Sequence, residues 1–163
     1  LALFAHETYY PLNDELAIFT SEEEAAIIDA IRKAEKNTSG EIRVHIEATS
    51  KSPETNKKID AYDRAATVFD MLHMENTRQR NGVLIYIAVD DRTLVILGDQ
   101  GINDMVDPFF WESTKDIIIG HFKKGDMKNG LVEGILKAGE QLKKYFPYSK
   151  GDKNELSDDI SIG

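Results

Sequence analysis

The stretch GVLIYIAVDDRTLVILG, residues 82–98, decides the fold. Gly82 to Val89 is apolar throughout, as expected of a central strand, and a second apolar run, Thr93–Leu97, follows after only Asp90, Asp91 and Arg92. Two such runs joined by a short polar turn predict an antiparallel hairpin. A strand without a polar face has to be covered above and below, so the rest of the chain must supply two outer layers.

Upstream, Glu41–Ala48 alternates Glu41, Arg43, His45 and Glu47 with Ile42, Val44, Ile46 and Ala48, the period of an edge or near-edge strand covered on one face. Ile59–His73 carries apolar residues at helical spacing (Ala61, Ala65, Val68, Phe69, Leu72), and the strand-helix-strand order predicts a right-handed parallel crossover. The polar, Pro-containing run TSKSPETNKK between them reads as a surface loop. Further upstream, Thr20 with Glu23 forms a capping box for a helix over about 21–37.

Downstream, Asp107 followed by Pro108 predicts a helix running to about Phe122. Gly125 and Asp126 then break it and cap a last helix over about 128–145, which Pro147 ends. The order α-β-α-β-β-α-α gives a three-layer α/β/α sandwich with a small mixed sheet over residues 18–147. Residues 1–17 read as an N-terminal extension or tag remnant, and 148–163 as a flexible acidic tail.

At 163 residues the chain fits one domain. Its 20 Lys and Arg against 29 Asp and Glu give a net charge of −9, which disfavours nucleic acid and anionic lipid and favours cations or a basic protein partner. There is no Cys, so a metal must be held by oxygen or His ligands. The longest apolar runs are far below the roughly 20 residues of a membrane span. A cytoplasmic location is expected, with periplasm and lumen also compatible.

Chemistry concentrates in GDQGINDMVDPFFW, residues 98–111. Hard cations take six to eight oxygens, and this loop offers carboxylates, an amide and glycine bends within ten residues, without the EF-hand pattern. If the first two strands are parallel and the third antiparallel, Gly98 and Asp99 lie beside the starts of the other two, near Glu41 and the Arg80-Asn81-Gly82 turn. The candidate metal ligands are therefore Asp99, Asp104, Asp107 and Glu41, with Arg80 and Asn81 at the cleft rim. Asp107 also has a capping role that needs no metal.

A second acidic group, Asp90 and Asp91 with Asp63 and Asp126, belongs at the opposite end of the sheet, where turn chemistry is the simpler reading. His6, His45, His73 and His121 show no zinc spacing and read as packing or surface residues. Phe109, Phe110 and Trp111 read first as core and second as an exposed partner patch. No phosphate loop, G-x-S-x-G elbow or Cys nucleophile is present, so the catalytic residues are unassigned.

The runs TSGEIRVHI (38–46), RNGVLIYIAVDDR (80–92), the Gly-rich turn with Asp107, and FKKGDMKNGLVEGI (122–135) resemble the TPM domain over about residues 18–147. This is the family of thylakoid-lumen photosystem-repair proteins and many bacterial homologues. The resemblance implies an α/β/α sandwich, a divalent-cation site in an acidic cleft, commonly calcium, and an acid phosphatase activity in plant members. By position, the family's Asn-Gly-Val is Asn81, Gly82 and Val83, its Asp-Arg is Asp91 and Arg92, and its Asp after the Gly turn is Asp107. Where the family has Gly-x-Gly, this chain has Gly98-Asp99-Gln100-Gly101, which adds a carboxylate. The Gly-rich, membrane-anchored C-terminal segment of many homologues is missing from the sequence, which is similar to the short soluble bacterial type.

The leading expectation is thus a soluble TPM-type domain that binds a divalent cation, calcium first and magnesium or manganese as alternatives. A metal-assisted phosphomonoester hydrolase and a non-catalytic adaptor or assembly factor are the competing readings.

Overall fold

The computed structural model describes residues 3–8, 19–148 and 153–163; most of the expected extension over 1–17 lies outside them. The elements are β1 (Leu3–Thr8), α1 (Ser21–Glu35), β2 (Glu41–Glu47), α2 (Ala61–Met71), β3 (Gly82–Ala88), β4 (Thr93–Gly98), α3 (Gln100–Asn103), α4 (Glu112–Phe122), α5 (Met127–Lys143) and β5 (Ser161–Ile162). The strands form one mixed sheet in the order β1-β4-β3-β2-β5.

At its centre, β3 and β4 pair antiparallel from Val83↔Gly98 to Ala88↔Thr93, and every residue of both is buried. The parallel crossover also forms: β2 pairs β3 from Glu41↔Gly82 to Glu47↔Ala88, with α2 in the connection. Alternate residues of these strands feed two cores. Val83, Ile85, Ile87, Leu94 and Ile96 pack with α1, α4 and α5, while Leu84, Tyr86, Val95 and Leu97 pack with α2. The result is the three-layer α/β/α sandwich.

The helix signals act locally. Thr20 accepts from Glu23 N–H at 3.1 Å, and Glu23 Oε1 accepts from Thr20 N–H at 3.0 Å, the capping box read from sequence. Thr20→Ala removes one of these bonds and should cost about 1 kcal/mol. Thermal unfolding should then move down by roughly 2–4 °C for a chain of this size.

Four expectations change. The polar face of β2 is covered rather than solvated, with Glu41, His45 and Glu47 only 2%, 3% and 6% exposed. Asp107 and Pro108 do not open the long helix: Asp107 caps a tight turn, its Oδ1 accepting from Phe109 N–H at 2.8 Å, and α4 begins only at Glu112. The turn lets Trp111 enter the core at 1% exposure while Phe109 stays 74% exposed, so the aromatic trio divides. Finally, residues 153–163, read as a mobile tail, lie along the outer edge of β2 with Leu156 buried, and β1 adds a strand beside β4 where only an extension was read.

Candidate functional site

Gly98 ends β4 beside the start of β3, and the backbone there is tied across the sheet. Asp99 N–H donates to Gly82 O at 2.9 Å, and Gly101 N–H donates to Arg80 O at 2.8 Å. The loop is thus laid against the Arg80-Asn81-Gly82 turn, as the topology predicted. Arg80 faces Asp99 directly, with Nε 2.8 Å from Oδ2 and a terminal guanidinium nitrogen 3.0 Å from Oδ1. This is a bidentate pair, the strongest geometry available to a carboxylate and a guanidinium. The Asp99 side chain is 1% exposed and that of Arg80 is 52% exposed. Hydrogen bonding and charge from Asp99 raise the Arg80 pKa further.

Arg80 makes this pair from a left-handed backbone, φ 51°, a conformation that costs a non-glycine residue about 1–3 kcal/mol unless its surroundings hold it. Asp99 also accepts from Gln100 N–H at 2.7 Å, starting the one-turn helix α3. The pair lies in an open polar cleft of about 590 Å³, walled by Asp70 and Glu75 as well as Tyr62 and Gln100. Glu75 Oε2 is buried there without a hydrogen-bond partner among the described residues.

The other predicted ligands go elsewhere. Asp104 is exposed and accepts from Gln100 Nε2 at 2.7 Å. Asp107 lies by a separate hollow with Phe109, Phe110 and Tyr145. Glu41 stands two strands away from Asp99, a separation of about 10 Å across the sheet. Met74 and Leu156 fill the place between them, over Gly82. Glu41 instead lines a hollow with Glu35 and Asp158, its Oε1 accepting from Glu155 N–H at 2.5 Å and its Oε2 buried without a hydrogen-bond partner among the described residues. Burial pushes its carboxyl up to about 6 against the pull of that N–H, and burial with Asp158 beside it drives Glu35 well up too.

Asn81 is a buried brace rather than a rim residue, 1% exposed, with Nδ2 3.3 Å from Ser39 Oγ and its backbone N–H on Thr77 Oγ1. Of the six predicted residues, the structure brings together only Asp99 and Arg80 side chain to side chain. The opposite acidic group also disperses: Asp91 holds the 50–59 loop through Ser50 N–H at 3.1 Å and Lys58 at 2.9 Å, and Asp126 caps α5. Among the described residues, no group of three or more His, Cys, Asp or Glu is placed to hold a metal.

Sequence reasoning missed a buried polar cluster under α2. Glu47 takes Arg64 through two bonds of 2.9 Å, accepts from Tyr86 Oη–H, and lies 3.1 Å from His45 Nε2. His45 stacks on Tyr86 and reaches Ser161 Oγ at 2.9 Å through Nδ1. Burial alone would raise the Glu47 pKa, but hydrogen bonds from His45, Arg64 and Tyr86 outweigh it and hold the carboxyl at about 2. The available signal was an Arg on the otherwise apolar face of α2, at position 64, able to meet a carboxylate from β2.

The described helices include none long and apolar enough to cross a membrane. A family model described as the TPM domain matches residues 12–141. The chain is similar to a solved structure, the NMR structure of BA42 protein from the psychrophilic bacterium Bizionia argentinensis, with 56% identity and a TM-score of 0.81, covering 90% of this chain and 97% of that one. No curated protein matches it.

Proposed function

This chain belongs to the TPM domain family, and from that premise we propose that it binds a divalent cation, calcium first, in the polar cleft floored by Asp99. One observation carries the reading: a carboxylate that is 1% exposed opens onto an acidic cleft, and its counter-charge is a guanidinium that is half exposed. Arg80 can turn outward into water, freeing Asp99 Oδ2 and leaving Oδ1 with the Gln100 N–H alone. Glu75 and Asp70 supply further oxygen from the walls, and water completes a shell that carboxylates alone do not fill. The bound cation would supply positive charge to any anionic group entering the cleft. Asp104 and Asp107 are outer carboxylates that raise the local cation concentration rather than ligands.

Titration of the protein with calcium should give measurable heat, with amide shifts concentrated at 98–107 and 70–80. Asp99→Asn should abolish both, while Asp107→Asn leaves binding within about twofold, since it caps a turn outside the cleft and acts on the cation only at a distance. Absence of heat together with unmoved amides at 98–107 would sink the proposal. The hydrolase reading draws on the same cleft, because Arg80 could hold phosphoryl oxygens. Turnover of an aryl phosphate that survives unchanged in Asp99→Asn would reject that site for it.

A further inference from the structure

Residues 153–163 sit on the outer edge of β2 with slight backbone pairing. Ser161 and Ile162 pair with His45 and Ile46, Gly163 N–H adds a bond to Ile46 O at 3.0 Å, and Leu156 is buried while Ile162 is 72% exposed. A segment held by so few contacts can lift without the fold opening, so the charges it meets weigh heavily. Several are of its own sign. Asp158, 15% exposed at its side chain, is hydrogen-bonded to the carboxyl of Glu35 on α1. Two carboxyls can share a hydrogen bond only when one of them keeps a proton. Glu35 is fixed in place by Ile42 N–H, which donates to its Oε2 at 2.7 Å.

Glu41 completes the set from β2 and is 2% exposed. Its Oε1 accepts from Glu155 N–H at 2.5 Å, whereas its Oε2, bordering the same hollow as Glu35 and Asp158, is buried without a hydrogen-bond partner among the described residues. Charged, that oxygen is costly; protonated, it becomes a donor to its neighbours. The nearby cations compensate weakly because water reaches them. Arg32 stands 3.6 Å from Asp158 but is 63% exposed, and Lys36, Lys153 and the Tyr148 hydroxyphenyl, which also line the hollow, are exposed. Arg43 interacts with Asp159, and Arg78 meets Glu155 Oε2 through its backbone N–H at 3.0 Å. Burial, with Asp158 and Glu41 beside it, pushes Glu35 up to about 11. Burial with the charges of Glu155 and Asp158 lifts Glu41 to about 6, against the pull of the Glu155 N–H and of Glu35.

We propose that residues 153–163 form a proton-operated latch: protons shared among Glu35, Glu41 and Asp158 seat the segment, and their loss as pH rises lets it lift from β2. Carboxyls raised on seating contribute fully below their ordinary value of 4.5, and the first of that contribution is lost as pH rises through about 6. A carboxyl raised that far is worth up to about thirtyfold in the seating equilibrium. Amide hydrogen exchange on this chain tests it, with Ile85 of the central strand as the internal reference. Between pH 4.5 and 8, protection of the Glu155 and Gly163 amides should fall at least tenfold relative to Ile85. Glu41→Gln keeps the acceptor for Glu155 N–H and puts a permanent N–H donor where the proton would be. It should hold the segment at pH 8 and reduce the fall to less than twofold. Flat protection in the wild type, or the same fall in the variant, would overturn the latch. Should Glu41→Gln not fold, the side-chain carboxyl carbon shifts of the wild type decide: Glu35 still protonated at pH 8 supports the latch, and Glu35 ionised at pH 8 overturns it.

Discussion

Arg64→Ala is expected to destabilise the chain by about 3–5 kcal/mol, because it strands a buried carboxylate rather than merely losing an ion pair. Glu47 is 5% exposed at its side chain, and Arg64 provides two of its hydrogen bonds. Without that guanidinium, Tyr86 and His45 must carry a negative charge in the α2 core. The folded carboxyl, held at about 2 in the native chain, should then rise toward or above its ordinary value.

The sign of the pH dependence follows from that shift. A carboxyl depressed from 4.5 to about 2 on folding adds stability that is fully present above pH 4.5 and lost as pH falls through 2. At 1.36 kcal/mol per unit the contribution is about 3 kcal/mol. Urea unfolding of the wild type between pH 5 and 2 should show that decline, and in Arg64→Ala the decline should largely vanish because the variant has already lost it. An Arg64→Ala variant with wild-type stability at pH 7, or with the same acid slope, would remove the cluster from the account of this fold. Arg64→Met, which fills similar volume without the charge, should be nearly as damaging as Ala, separating charge from packing.

The same cluster explains why β2 misled a reading from sequence. Alternation of Glu41, Arg43, His45 and Glu47 looks the same whether that face meets water or a set of partners. Those partners stand 17 and 39 residues away, at Arg64 and Tyr86, and no local period reveals them. The hairpin, the capping box and the parallel crossover were legible because each rests on neighbours in the chain: an unbroken apolar run, a pair of residues three apart, a strand-helix-strand order. Asp107-Pro108 was half legible, since the local signal does start a turn, but burial of Trp111 moves the helix to Glu112. In the candidate site, topology correctly brought Asp99 to the Arg80 turn. It could not tell that Met74 and Leu156 fill the space over Gly82 and so part Asp99 from Glu41, since neither intruder belongs to the strands being paired.

Gly101→Ala should be the most damaging single methyl in the Gly98-Asp99-Gln100-Gly101 turn. A Cβ there would lie 2.0 Å from Gln79 O and 2.7 Å from Arg80 O, both backbone atoms that cannot rotate away. The two segments must separate, which strains the Gly101 N–H bond to Arg80 O and tilts the backbone that aims Arg80 at Asp99. Overpacking against fixed backbone costs about 3 kcal/mol, the upper end of the usual range. Gly120→Ala is the matched control: it lies in α4 with nothing within 4 Å of its added Cβ, and replacing a helical glycine should stabilise by about 0.5–1 kcal/mol. Thermal unfolding of the two variants should therefore move in opposite directions. If they move together, close approach of the loop to residues 79 and 80 is not what requires glycine at 101. If they diverge and Gly101→Ala also loses the amide signature of the Arg80 to Asp99 pair, the second glycine is present to let that loop press against the Arg80 turn, and the charge of the cleft depends on a missing side chain as much as on the acidic ones.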